Sequence, residues 1–157
     1  MWPGRFEPMR RLFDSAQLSL IPAHVTLCRE SELNAVSSAA LASLLGSPAA
    51  KPITLRFGRP EPFSEHGALL PCVAGMGEFH PLRHWVLGTN SCKHQEPHIT
   101  LSHPRNPRAP GNNPSNSAAL PIGLTITFTS VCLVIPWCGS CQTLNHIQCL
   151  AELMISV

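Results

Sequence analysis

Cys138 and Cys141 flank Gly139 and Ser140 directly after Trp137, in the stretch VIPWCGSCQTL, Val134 to Leu144. Two thiols at this spacing can close a disulfide or exchange one with a partner, once one of them ionises near neutral pH. A second group of ligating side chains lies further forward: Cys72, His80, His84, Cys92, His94, His98 and His103. Zinc takes four nitrogen or sulfur donors in a tetrahedron, usually delivered as paired short spacings. His80 and His84 are four apart, and Cys92 and His94 enclose Lys93. No C-x-x-C pair stands in that window, so scattered loop histidines account for it better than a zinc site.

WCGSC, Trp137 to Cys141, resembles the WCGPC active-site motif of the thioredoxin family, with Ser140 where that family has proline. The resemblance implies an attacking thiolate at Cys138 and a resolving thiol at Cys141. An apolar lead-in that reads as a strand precedes the motif. A helical spacing of Leu144, Ile147, Ala151 and Met154 follows it. The likeness covers these five residues and their immediate context. The family's fold needs further strands, a helix and a cis-proline loop after the motif, and only 16 residues follow Cys141. A thiol redox or zinc-binding module is therefore an alternative reading of function, behind two others given below.

Other chemistry is sparse. The single aspartate, Asp14, lies far forward with no nucleophile elbow elsewhere, which excludes a Ser-His-Asp triad. GMG at Gly75 to Gly77 lacks the spacing and lysine of a phosphate loop. Asn113-Pro114-Ser115 is no glycosylation sequon because of its proline. The net charge of +2, without a basic stripe, argues against a nucleic-acid partner. Ile155-Ser156-Val157 fits a loose PDZ-ligand pattern, and Pro104, Pro107 and Pro110 make a short proline run. No internal repeat is visible. On this reading no catalytic, cofactor-binding or metal-ligating residue is assigned, no small-molecule ligand is implied, and the chain is not an enzyme.

The elements that must carry these side chains look weak. Charged residues are 13% of the 157, against roughly 25% in ordinary soluble domains. The 16 prolines interrupt most periodic runs. The profile resembles that of young, lineage-restricted open-reading-frame products. Residues 1–102 read as a loosely structured front with helices near Pro8–Leu20 and Ser31–Leu45. Ser31 can cap the second, and Gly46 and Pro48 stop it. The N-terminus lacks the apolar core of a secretory signal, and Glu7 and Asp14 argue against a mitochondrial presequence. Ile53–Phe57 alternates as a short strand without a strong partner, and residues 103–117 form a Pro/Asn/Ser linker.

Ala118 to Pro136 is free of charge. As a helix it would be roughly 28 Å long, close to the hydrocarbon thickness of a bilayer. Arg105 and Arg108 precede it and no basic residue follows, which puts the N-terminus in the cytosol. Residues 118–137 are thus a candidate transmembrane helix with Trp137 at the interface, and 138–157 a short tail. The competing reading is a half-buried strand: Leu124, Ile126 and Phe128 alternate with Thr125, Thr127 and Thr129. Length and one-sided charge favour the helix. The expectation is a mostly irregular chain with a few α-helices and no compact domain. It would be single-pass and membrane-associated, with the lipid bilayer as its partner. The first alternative is a soluble, largely disordered or aggregation-prone product with no defined role.

Overall fold

The computed structural model describes residues 11, 23–46, 51–64, 67–89, 92–102, 123–134 and 152–156. The elements described begin with strand β1 (Val25–Cys28) and helices α1 (Glu30–Leu33) and α2 (Ser38–Gly46). Strands β2 (Ile53–Phe57), β3 (Glu61–Phe63) and β4 (Gly67–Ala74) lead into helix α3 (Met76–Leu87). Strands β5 (His98–Ser102), β6 (Thr125–Phe128), β7 (Ser130–Val134) and β8 (Glu152–Ser156) follow. The strands form one antiparallel sheet in the order β6-β2-β4-β5-β1-β8-β7, with β3 paired on β4. The sheet curls into a half-barrel.

β2 and β3 share one edge of β4. Phe57 pairs with Cys72 and Glu61 with Leu69, and the Gly58 amide donates to the Pro71 carbonyl at 2.8 Å across the kink between them. The result is a long bent hairpin. β6 and β7 stand at the two rims of the strand order, yet only Thr129 separates them in the chain. One extended stretch therefore serves both rims, with its first half on β2 and its second on β8.

Period-two patterning decides which face is covered. Ile53, Leu55 and Phe57 of β2 are buried, while Thr54 and Arg56 are exposed. Ile126 and Phe128 of β6 are buried between exposed Thr125 and Thr127. Phe57 meets Phe128 edge to face at 6.3 Å. Helix α3 lays Phe79, Leu82 and Val86 into the same core as Val25, Leu27, Leu70, Ile99 and Leu101. Gly75 starts that helix with φ +97°; a Cβ there would stand 2.2 Å from the Thr54 carbonyl oxygen. The Thr54 amide donates to the Glu78 carboxylate at 3.1 Å, which ties the first turn of α3 to β2.

Several expectations are corrected. The chain is not mostly irregular: a sheet with its own core replaces the loose front and the membrane tail. Where 118–137 is described, it is strand: Thr125–Phe128 and Ser130–Val134. Among the described residues no helix is long and apolar enough to cross a membrane, so the single-pass topology with a cytosolic N-terminus is withdrawn. The physical reason is a partner. Ile53–Phe57 carries the same alternation, and the two strands register as Ile53↔Phe128, Thr54↔Thr127, Leu55↔Ile126 and Arg56↔Thr125. Apolar side chains then share one face, and the Thr54 and Thr127 hydroxyls bond at 2.9 Å on the other. The bilayer as a partner depends on the discarded helix.

The helix expected over Ser31–Leu45 is two helices. The Ser37 hydroxyl accepts from the Ala40 amide at 3.2 Å and so caps α2. α1 begins at Glu30, with the Glu32 carboxylate accepting from the Arg29 amide at 3.1 Å. Glu152–Ser156 is a strand where a helical spacing was expected through Met154. The helix near 8–20, of which Arg11 alone is described, and the linker at 103–117 lie outside the described residues.

Candidate functional site

Two tetrads of like sequence head two neighbouring strands: His24-Val25-Thr26-Leu27 and His98-Ile99-Thr100-Leu101. The two share His, Thr and Leu at matching positions, with Val25 or Ile99 between His and Thr. The repeat unit is four residues long and occurs twice, so a search for long periods passes over it. The signal that could have found it is the pattern His-β-branched-Thr-Leu on two strand-like segments.

The fold turns this repeat into a local two-fold arrangement. Val25 faces Ile99 across β1 and β5. Antiparallel pairing around that point sets His24 opposite Thr100 and Thr26 opposite His98. Val25, Leu27, Ile99 and Leu101 point into the core. His24, Thr26, His98 and Thr100, all half-buried, share the face turned away from α3. Diagonal positions on such a pair have Cα atoms about 7–8 Å apart, so the His24 and His98 positions are diagonal neighbours on one face of the sheet.

The neighbours are apolar. β4 places Leu69 opposite Thr100 and Pro71 opposite His98. The Phe63 ring lies 5.6 Å from that of His98. His98 Nδ1 donates to the Glu96 carbonyl at 3.0 Å. A carbonyl can only accept, so the proton of the neutral ring sits on Nδ1 and the lone pair on Nε2.

Behind the paired strands lies a buried polar network. Arg83 of α3 is fully buried. Its guanidinium donates to the Leu27 carbonyl, to Gln95 Oε1 at 3.2 Å, to Glu32 Oε1 at 2.6 Å and to the Lys93 carbonyl at 2.9 Å. Gln95, also buried, donates from Nε2 to the Thr26 carbonyl at 2.7 Å. Burial acts to raise the pKa of Glu32, but the Arg83 and Arg29 bonds outweigh it and hold the carboxyl below its usual range. Burial pushes the Cys28 thiol up to about 12, despite the nearby Arg83 charge.

The earlier ligand candidates do not converge. Cys72 is buried; its Sγ donates to the Ala74 carbonyl at 3.0 Å, and burial raises its pKa. His80 and His84 lie on α3. The His80 ring is 5.9 Å from that of His94, and His94 lies 3.5 Å from exposed Glu96. Burial, then the neighbouring His94, Arg83 and His84, lowers the pKa of His80. Cys92 is a half-exposed free thiol. Among the described residues no group of three His, Cys, Asp or Glu side chains could hold a metal ion. His103, Cys138 and Cys141 lie outside them. Neither a protein-family model nor a curated protein nor a solved structure matches this chain significantly.

Proposed function

We propose that the chain binds a phosphodiester between His24 and His98 and cleaves it by paired general acid–base catalysis. Histidine ionises near neutral pH and can therefore give or take a proton there. His98, with Nδ1 held by the Glu96 carbonyl, offers Nε2 as the base. It takes a proton from the attacking hydroxyl or water as the new P–O bond forms. His24, protonated, gives its proton to the departing oxygen as the old P–O bond breaks. The hydroxyls of Thr26 and Thr100 donate to the non-bridging oxygens.

Phosphoryl transfer suits this set of groups. It needs mainly positioning and charge stabilisation, and the nucleophile can come from the substrate or from water. The face offers acid–base groups and hydroxyls, and an anion between two imidazoles is electrostatically favoured. The observation that carries the reading is the two-fold placement of both His-x-Thr pairs about Val25 and Ile99.

Bis(p-nitrophenyl) phosphate tests it with the full chain. Each of His24→Ala and His98→Ala should lower kcat by about 10²–10⁴-fold, and the pH–rate profile of the parent should be bell-shaped. Turnover in the parent no higher than in the double variant removes the proposal, and the expectation of a chain without catalysis stands in its place.

A further inference from the structure

Register between β1 and β5 rests on little backbone pairing. Among the described residues their ladder has one residue pair, Val25↔Ile99, whereas β4 and β5 share four. What joins β1 to the approach of β5 is a side chain. Gln95 stands three residues before His98 in the chain, and its Nε2 donates to the Thr26 carbonyl at 2.7 Å. Its Oε1 is held in turn by Arg83 at 3.2 Å, and Arg83 also grips the Leu27 carbonyl. Glu32 and the Lys93 carbonyl hold Nη2.

We infer that Gln95, oriented by Arg83, is a positioning residue that sets His24 and Thr26 against His98 and Thr100. The inference rests on the acid–base reading of that face for its kinetic consequence, though not for its geometry. A buried amide with both ends occupied has one low-energy orientation. Because Gln95 touches the backbone of one tetrad and precedes the other in the chain, its removal frees the strands to shift relative to each other. Proton transfer demands hydrogen-bond reach, so a small shift slows chemistry more than it weakens substrate binding.

Two variants separate this role from simple support of the fold. Gln95→Leu removes both bonds. Gln95→Glu keeps an acceptor for Arg83 but loses the donor to the Thr26 carbonyl. With bis(p-nitrophenyl) phosphate, well below each Tm, both should lower kcat tenfold or more with KM within twofold of the parent. The imidazole Hε1 resonances of His24 and His98 should both move in either variant. A fall in Tm with kcat and both resonances unchanged overturns the inference. If Gln95→Leu does not fold, Gln95→Glu decides alone. If the parent lacks turnover, the functional reading fails, and the two resonances alone then decide on Gln95.

Discussion

Glu32 Oε1 lies 2.6 Å from Arg83 Nη2, and both side chains are almost wholly withdrawn from water. Breaking a buried pair strands the remaining charge, so Arg83→Met should cost about 3–5 kcal/mol. Changing both partners together, Glu32→Leu with Arg83→Met, should recover part of that loss. Urea unfolding of the two variants checks both outcomes.

The same pair sets an acid limit. The folded pKa of Glu32 is lowered, so its contribution is fully present above the unfolded value of about 4.3. It is lost as the pH falls through the lower, folded value. The urea midpoint of the parent should therefore fall towards low pH more steeply than that of Glu32→Gln. Parallel slopes for the two proteins remove this assignment.

Gly75 and Gly77 should respond in opposite directions to alanine. At Gly75 the positive φ and the Thr54 carbonyl 2.2 Å from a new Cβ leave no room. Gly75→Ala should cost at least ~2 kcal/mol. At Gly77, inside α3, a Cβ meets nothing within 4 Å. Gly77→Ala should stabilise by roughly 0.5–1 kcal/mol through helix propensity. Paired thermal melts read both effects.

β6 offers a test of strand against span. Ile126 is buried and Thr125 exposed. Ile126→Asp should unfold the domain or lower its Tm sharply, while Thr125→Asp should be tolerated within about 0.5 kcal/mol. Equal damage at both positions is the outcome expected of a lipid-embedded helix, and it would count against the sheet.

Cys28 should be inert in the folded protein. Its thiol is buried and its pKa is pushed up to about 12, so thiolate is scarce at pH 8. Peptide mapping after a maleimide pulse should find Cys92 labelled and Cys28 labelled only after urea is added. Fast native labelling of Cys28 contradicts the packing of β1.

What could be read in advance was local. The alternation in Ile53–Phe57 and in Leu124–Thr129 was visible on the chain, and each is a strand. What was not visible is that they are partners, because a stretch of almost seventy residues parts them and pairing leaves no mark at that distance. A neutral run with no known partner then reads as a span. The capping residue was expected at Ser31, whereas Ser37 caps α2 and so divides the helix, a break hidden because alanines and leucines continue past it. The site fared worst. His24 lies outside the Cys72–His103 cluster, and His98 within it has the side chain of a zinc donor and no other mark. Their kinship appears once β1 and β5 lie side by side. Gln95 and Arg83 gave no sign at all, because an uncompensated-looking arginine in a helix is ordinarily a surface residue.

The pairing of β1 with β8 has a consequence for biosynthesis. β1 is synthesised well before its neighbour, since Val25 pairs with Ile155. Until then one flank of β1 is an open template, and the nascent polypeptide carries a half-finished sheet with greasy strands in water. So remote a contact is slow to close, because the entropy of loop closure must be met before the pairing rewards it.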